Sequence, residues 1–573
     1  MKKKTTLSFL VFFTATCSFL FAQNITVSGT VTDASSVPLP GVNIQVKGTS
    51  NGTSTDFDGN YSISTNQGDV LIFSFVGFKT KEVSVTGTKL DTSLEEDASK
   101  LDEVVITAFG IQRETRELGY SVTQVDASDV NLAGQANAIT ALQGRVAGVQ
   151  INQTSGSSGG GIDILIRGIT SVNPDRNNQP LIIVDGLALD NDTFSGGDIL
   201  PSAGSNSPSS SEQFSFSNRA SDINPEDVET FSVLKGAAAT ALYGVRASNG
   251  AIIITTKKGK DGKAKINISA STTFRSIQKT PELQTTYREG WRGLPRATYS
   301  PETGITRLGG TVFYSWGPKF SDDSVTLNDG TVVDLSNDKF SSPYELFKTG
   351  VNSQINFNIS GANDKLDYFF SVGNNSEEGV LPNTDYNKTT LRFKSGYKVT
   401  DNFDINTSIA YTNAGGKRAN GGDKSVFSSL TYWSGTYPIN DYLNDDGSQR
   451  NYTFGIIDNP RYFLEKSPLT DDVNRWVGSI NMNWSPKDWI NISYAAQIDN
   501  YSDKRNRFVA PDLDTGSQVG GFIVNQNINL LALESNLLVT LNKDWSEDFG
   551  TTLTLGNQIS DSKRDYSYIR GET

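Results

Sequence analysis

The sequence predicts a mainly β protein, and three observations carry that expectation. Runs that alternate apolar and polar residues recur along most of its 573 positions, as a half-buried strand requires. The 53 glycines, with abundant Asn, Ser and Thr, supply turns between such runs, while hydrophobic residues make up only 36% of the chain. After position 4 no apolar run reaches the roughly 20 residues of a membrane-spanning helix, which leaves strands free to do the spanning.

Lys2, Lys3 and Lys4 precede an apolar run from Leu7 to Ala22, the layout of a secretory signal over residues 1–22. Cys17 is the only cysteine and lies within that run, so beyond it no disulfide, cysteine nucleophile or cysteine metal site is expected. Histidine is absent, which removes His-dependent triads and zinc hydrolase sites. No catalytic residue, cofactor or metal is expected, and the chain is not read as an enzyme. A net charge of −13 opposes nucleic-acid binding.

Residues 23–97 read as a small β-sandwich, with runs at Val27–Val31, Val42–Val46, Tyr61–Ser64 and Leu71–Val76 between Pro and Gly turns. Asp56, Asp58 and Asn60 have the opening spacing of a calcium loop, but Gln67 stands where a bidentate Glu is needed, so an Asp-Gly turn is expected. This module resembles the carboxypeptidase regulatory-like domain through Gly29, Pro40, Gly41, Gly48, Gly52, Thr53, Asp56, Asp58, Gly59, Tyr61 and Gly77. The resemblance implies an accessory module.

Residues 98–110 hold KLDEVVITA, whose Val104, Val105, Ile106 and Thr107 are β-branched and have no obvious partner in the polar stretch that follows. Extended chain of this kind is suited to adding a strand to another protein's sheet. An edge strand of a neighbouring domain is the alternative reading.

Residues 111–260 predict a small α/β unit. ALQGRVAGV (141–149) is expected to be helical to Arg145, and DILIRG and LIIVDG are expected to be buried strands with polar exits. The glycine-rich 156–161 lacks the ending of a phosphate loop and is read as a plain loop, as is 191–222. Asn224 is placed to cap a turn with Pro225 first and Asp227 near its start; a strand over Thr230–Leu234, a helix over Ala237–Tyr243 closed by Gly244, and a strand over Ala251–Thr256 follow. The segment LKGAAATALYGVRASNG with IIITTKKG resembles the end of the plug domain of TonB-dependent outer-membrane transporters. Arg145, Arg167 and Arg246 are then candidates to hold a plug against barrel-wall carboxylates, with Asp185, Lys235 and Tyr243 as further anchoring candidates.

Residues 261–573 alternate again. Ala264–Ala270, Ile355–Ile359, Leu366–Val372, Leu391–Val399, Phe403–Tyr411, Trp476–Trp484 and Ile490–Tyr494 read as strands, joined by short turns that alternate with long connections at 276–350 and 414–472. Tight turns on one side and long loops on the other fit an antiparallel transmembrane β-barrel, with Tyr and Trp near strand ends as an interfacial girdle.

Taken together, these segments resemble the SusC/RagA family of TonB-dependent importers. That resemblance implies a 22-strand barrel around the plug, and it makes Asp102, Glu103, Val104, Val105, Ile106, Thr107 and Ala108 a TonB box. It also implies TonB with its inner-membrane energising complex, a SusD-like surface lipoprotein and outer-membrane lipid as partners, and import of a bulky nutrient, a glycan oligosaccharide or a peptide, through the cell outer membrane. A non-energised receptor or porin, or a signal-transducing receptor, is the alternative. Trp291, Trp316, Tyr432 and Trp433 are candidate substrate contacts or loop-core residues. At roughly 25 to 30 residues per strand with its loop, residues 261–573 hold about half of such a barrel, so a C-terminally truncated member with an incomplete barrel is expected.

Overall fold

The computed structural model describes residues 24–33, 37–49, 51–75, 78–95, 104–106, 112–114, 122–129, 137–153, 156–173, 178–191, 213–295, 314–327, 330–421, 425–450, 452–453, 457–513, 520–546 and 549–572. The expected signal and Asp102, Glu103, Thr107 and Ala108 lie outside them. The chain divides into two compact units, Met1–Ile106 with Gln112–Gly119, and Thr107–Ile111 with Tyr120–Thr573.

Among its described residues the first unit carries two sandwich sheets and a separate two-stranded pair. Asn24–Thr32 pairs antiparallel with Asn60–Asn66 and parallel with Thr92–Ser93. Gly52–Ser54, Asn43–Val46, Val70–Ser74 and Lys81–Ser84 form the other sheet in that order. Period-2 burial sends Val27, Val31, Ile44, Leu71 and Phe73 into one core, where the Tyr61 ring meets Phe73 edge-on at 5.5 Å. Tyr61 Oη donates to Leu90 O at 2.9 Å, and burial, reinforced by the charge of Asp91, pushes its phenol up to about 12. Asp56 Oδ1 accepts from the amides of Asp58 (3.0 Å) and Asn60 (2.8 Å), so this carboxylate closes the expected turn on itself.

Val104–Ile106 is not solitary: it pairs antiparallel with Gln112–Glu114. Local hairpin closure answers the backbone groups that the sequence left without a partner.

The second unit opens with a five-stranded mixed sheet in the order Val122–Asp126, Val228–Leu234, Ala251–Thr256, Leu181–Val184, Leu187–Leu189. Only Leu181–Val184 and Ala251–Thr256 run parallel. A hairpin of Val149–Gln153 and Ile162–Ile166 and a turn at Ala138–Leu142 cover it, with Ile139, Leu142, Ile164, Ile182, Phe231 and Ile254 in the core. The helix Ala237–Tyr243 forms between Gly236 and Gly244, both at positive φ. The helix expected up to Arg145 does not form. A 3-10 turn over Ala138–Leu142, capped by Asn137, stands before it, and the positive φ of Gly144 and Gly148 breaks the chain there.

Nine long strands follow as one antiparallel sheet: β1 Gly262–Arg275, β2 Gly350–Ala362, β3 Leu366–Glu378, β4 Asp385–Thr400, β5 Phe403–Arg418, β6 Leu469–Lys487, β7 Ile490–Val509, β8 Phe522–Ser546 and β9 Phe549–Glu572. Nine is fewer than half of 22, because strands as long as the 25 residues of β8 and the connections 276–349 and 419–468 use more chain than the average assumed. Side chains alternate along each strand. On β4, Tyr386, Lys388, Thr390 and Arg392 are buried, whereas Leu391, Phe393 and Tyr397 are exposed. An apolar outer band is what a lipid-facing wall requires. Trp484, Trp489, Trp545 and Phe549 are exposed beside the short turns, where an aromatic girdle meets the headgroups. Among the described residues no helix is long and apolar enough to cross a membrane.

The loop side has a core of its own. Trp433, Ile439, Tyr462, Phe463 and Leu464 bury against Phe216, Leu469, Val509 and Phe522, built around the short helices Val426–Tyr432 and Pro460–Lys466.

Candidate functional site: the junction of plug and wall

The five-stranded domain is fastened to the concave side of the wall by charge. The hairpin LIIVDGLAL turns at Asp185 and Gly186, both at positive φ, and this two-residue turn projects the Asp185 carboxylate toward β4. There it meets Lys394 Nζ at 2.9 Å and Arg392 Nη1 at 3.5 Å, and it accepts from Thr256 N (3.0 Å) and Thr256 Oγ1 (2.5 Å). Burial alone would raise the Asp185 carboxyl, but Lys394, Arg392 and Thr256 outweigh it and hold the carboxyl below its ordinary range. Asp227 is more deeply buried and has Arg392 Nε at 3.6 Å; here burial wins and the carboxyl is pushed up.

A second fastening centres on Arg475 of β6. Its guanidinium grips Asp499 of β7 at 2.9 and 2.7 Å, Asp222 at 3.0 Å, and the carbonyl of Arg219 at 2.9 Å. Tyr501 donates to Asp190 Oδ2 at 2.7 Å, and Arg564 of β9 reaches the same oxygen at 2.9 Å. Lys388 donates to the carbonyl of Ser221 at 2.8 Å, and Thr412 Oγ1 to that of Asp222 at 3.1 Å. The segment 217–222, expected as part of a long loop, is thus a buried anchor in its described part.

A third fastening holds the glycine-rich loop. Arg418 of β5 is paired with Asp471 at 2.7 and 2.9 Å, donates to Ser158 O, and lies over the Tyr386 ring at 4.9 Å. Gly159 sits at positive φ against this wall, where a Cβ would collide with the Tyr386 ring and Arg418.

For Arg145, Arg167 and Arg246 the polarity is the reverse of the expected one, whereas the anchoring candidate Asp185 does meet the wall. Plug carboxylates Asp185, Asp190, Asp222 and Asp227 meet wall cations, while Arg145, Arg167 and Arg246 are exposed and form no ion pair with a wall carboxylate among the described residues. Arg167 stands at positive φ where the covering hairpin ends. Lys235 and Tyr243 are half-buried beside the short helix. One signal for the junction was present: Lys388, Arg392 and Lys394 share one face of β4, opposite the apolar Leu391 and Phe393. Of the loop aromatics, Trp433 is buried with Nε1 donating to Tyr437 O at 2.9 Å; Trp291, Trp316 and Tyr432 are exposed.

A small mixed-sheet plug keyed into an apolar-banded antiparallel wall defines the class: an outer-membrane β-barrel receptor of the TonB-dependent type. Residues 27–106 match the CarboxypepD_reg-like domain and residues 114–251 the TonB-dependent receptor plug domain. The chain is 30% identical over 518 residues to the TonB-dependent receptor SusC of Bacteroides thetaiotaomicron, covering 87% of this chain and 44% of that protein. It is also 30% identical over 528 residues to the TonB-dependent receptor P39 of Formosa agariphila, covering 91% and 42%. The fold is like that of the RagAB peptide importer in its open-open state, with a TM-score of 0.60 at 19% identity over 82% of this chain and 50% of that one. Within the class, the chain is similar to SusC and P39 over most of its own length, and it spans under half the length of these curated relatives.

Proposed function

We propose that the protein carrying this chain imports a bulky nutrient, a glycan oligosaccharide or a peptide, across the outer membrane in a TonB-dependent way. The observation that carries this reading is the junction itself: a folded plug closes against the wall through a set of buried polar fastenings, beside apolar contacts at Val477 and Phe216. Each fastening adds little net stability while complete but becomes unfavourable once one member leaves, since a buried charge without its partner is costly. Such a contact suits a gate that is opened by pulling.

The pull falls on Asp102–Ala108. TonB adds a strand there, the Val104–Ile106 hairpin with Gln112–Glu114 being the element it engages, and the plug carboxylates part from Lys394, Arg392 and Arg475 as the plug yields. A SusD-like lipoprotein covers the loop side and delivers the ligand. The work is conformational and needs no bond chemistry. SusC and P39 are named as TonB-dependent receptors and RagAB as a peptide importer, which supports the class of activity.

Deleting residues 101–108 in the full-length protein tests this. Abolished uptake with normal surface expression is the expected result; uptake unchanged by the deletion would place the protein among passive porins.

A further inference from the structure

The connection between β1 and β2 builds an array of aromatic rings that the junction does not use. Residues 287–294 run beside 314–317: Gly290 N donates to Tyr314 O at 2.8 Å, Trp316 N to Gly290 O at 3.2 Å, and Gly293 N to Trp316 O at 2.9 Å. This pairing sets Trp291 against Tyr314 with ring centroids 5.0 Å apart, and Tyr287 against Trp316 at 5.9 Å. Tyr314 and Trp316, two apart in extended chain, share a side. Trp291, Tyr314 and Trp316 are 48%, 43% and 58% exposed.

Beneath the exposed rings the frame is fully buried and charged. Arg288, 2% exposed, donates to Leu335 O (2.9 Å), Asp338 O (3.3 Å) and Lys319 O, pairs with Asp338 at 3.4 Å and lies over the Phe320 ring at 5.0 Å. Glu289 N donates to Thr436 Oγ1 at 2.7 Å, tying the array to the connection between β5 and β6. A loop built only to be soluble would bury the rings and solvate the arginine; this one does the opposite.

Arg292 supplies the second observation. Trp291 and Leu294 pair across a two-residue turn whose central residues, Arg292 (φ 53°) and Gly293 (φ 79°), both have positive φ. Such turns favour Asn or Gly at the first position, and a long side chain there is strained. Arg292 is exposed and has no carboxylate partner among the described residues. Arg292 is thus an exposed cation directly following Trp291 in the chain.

We infer that Trp291, Tyr314, Trp316 and Arg292 form a binding platform for an acidic oligosaccharide, with the apolar faces of successive pyranose rings on the aromatics and a carboxylate or sulfate on Arg292. The anion is committed to by charge complementarity, the sugar by the flat aromatic rings that stay about half exposed although they pack against one another. The platform's place in transport rests on the import reading above; binding by the platform does not.

The experiment is an isothermal titration calorimetry series on the purified full-length receptor. Its probes are tetragalacturonate (carboxylate), a carrageenan tetrasaccharide (sulfate), maltotetraose (neutral) and a Gly-Ser nonapeptide. One or both anionic sugars are expected to bind saturably, and at least about tenfold more weakly to W291A/W316A; whichever binds identifies the anion. W291F/W316F, which keeps the rings, should retain most of the affinity and so separates lost stacking from misfolding. R292A should weaken the acidic sugar severalfold and leave maltotetraose unchanged. Unchanged affinity in W291A/W316A, or R292A affecting neutral and acidic sugars alike, overturns the platform, as does saturable binding of the nonapeptide with none of either acidic sugar. Platform binding that persists while uptake proves indifferent to deletion of residues 101–108 overturns the import reading alone.

Discussion

In the sandwich the ion pairs lie at the surface: Lys47 and Glu82 meet at 2.6 Å with side chains 55% and 48% exposed, and the core beneath them is apolar. Between plug and wall the arrangement is inverted. Arg475 and Asp222 meet at 3.0 Å with side chains 2% and 4% exposed, and charge is the material of the contact. An exposed pair adds little, about 0 to 1 kcal/mol, and its loss is absorbed by water. A buried pair adds little net stability as well, but removing one member strands the other and costs about 3 to 5 kcal/mol. The sandwich is therefore tolerant of surface change, whereas the junction is all-or-none, as a gate that must hold and then release has to be.

The sharpest way to break this comparison is Arg475→Ala, which strands Asp499 and Asp222 together. A loss of about 3 to 5 kcal/mol in plug docking is expected, read as a lowered denaturation midpoint and as ion leakage through the full-length protein in planar bilayers. Next comes Gly159→Val. Its Cβ meets the Tyr386 ring and a positive φ at once, so the glycine-rich loop should lift from the wall at a cost of about 1 to 3 kcal/mol, seen as faster proteolysis at 156–161.

Two carboxylates on one cluster sharpen the comparison through pH. Asp227 has a raised pKa, so its charge opposes docking at neutral pH, and stability should rise as pH falls through that raised value. Asp185 has a depressed pKa: its contribution is complete above the unfolded value of about 3.9 and is lost as pH falls through the lower folded one. Asp227→Asn should flatten the stability profile above about pH 4, and Asp185→Asn below it, each followed by denaturation midpoints across pH. The smallest effect is expected in the other region. Lys47→Ala should shift the sandwich by less than about 1 kcal/mol, and a larger loss there would remove the contrast.

Much of the architecture was legible from local pattern. Ile355–Ile359, Leu391–Val399 and Trp476–Trp484 fall within β2, β4 and β6 because a wall with lipid on one side and a polar plug on the other imposes strict alternation. Helix Ala237–Tyr243 and its closing Gly244 were legible because a run of good helix formers ends at a glycine able to take the positive φ of a C-cap. Less legible were the elements decided by close backbone approach: the broken turn at Ala138–Leu142, and the pairing that gives Val104–Ile106 a partner from within the polar stretch that follows it.

The polarity of the junction was legible only at Asp185 and in the cationic face of β4. Arg145, Arg167 and Arg246 were the conspicuous cations of the plug, yet the pairs that form are Asp185 with Lys394 and Asp222 with Arg475, 209 and 253 positions apart. Trp433 was similarly indistinct from Trp291 until packing buried the first and left the second in solvent.

The sequence by itself determined the order of modules, the alternation of the wall and the places where glycine must turn the chain, because each depends on residues within a few positions of one another. Tertiary structure alone decided which charges meet, which loop aromatics face outward and whether Arg292 stays exposed. Those outcomes follow from sheet register and long-range packing, which a residue's sequence neighbours do not encode.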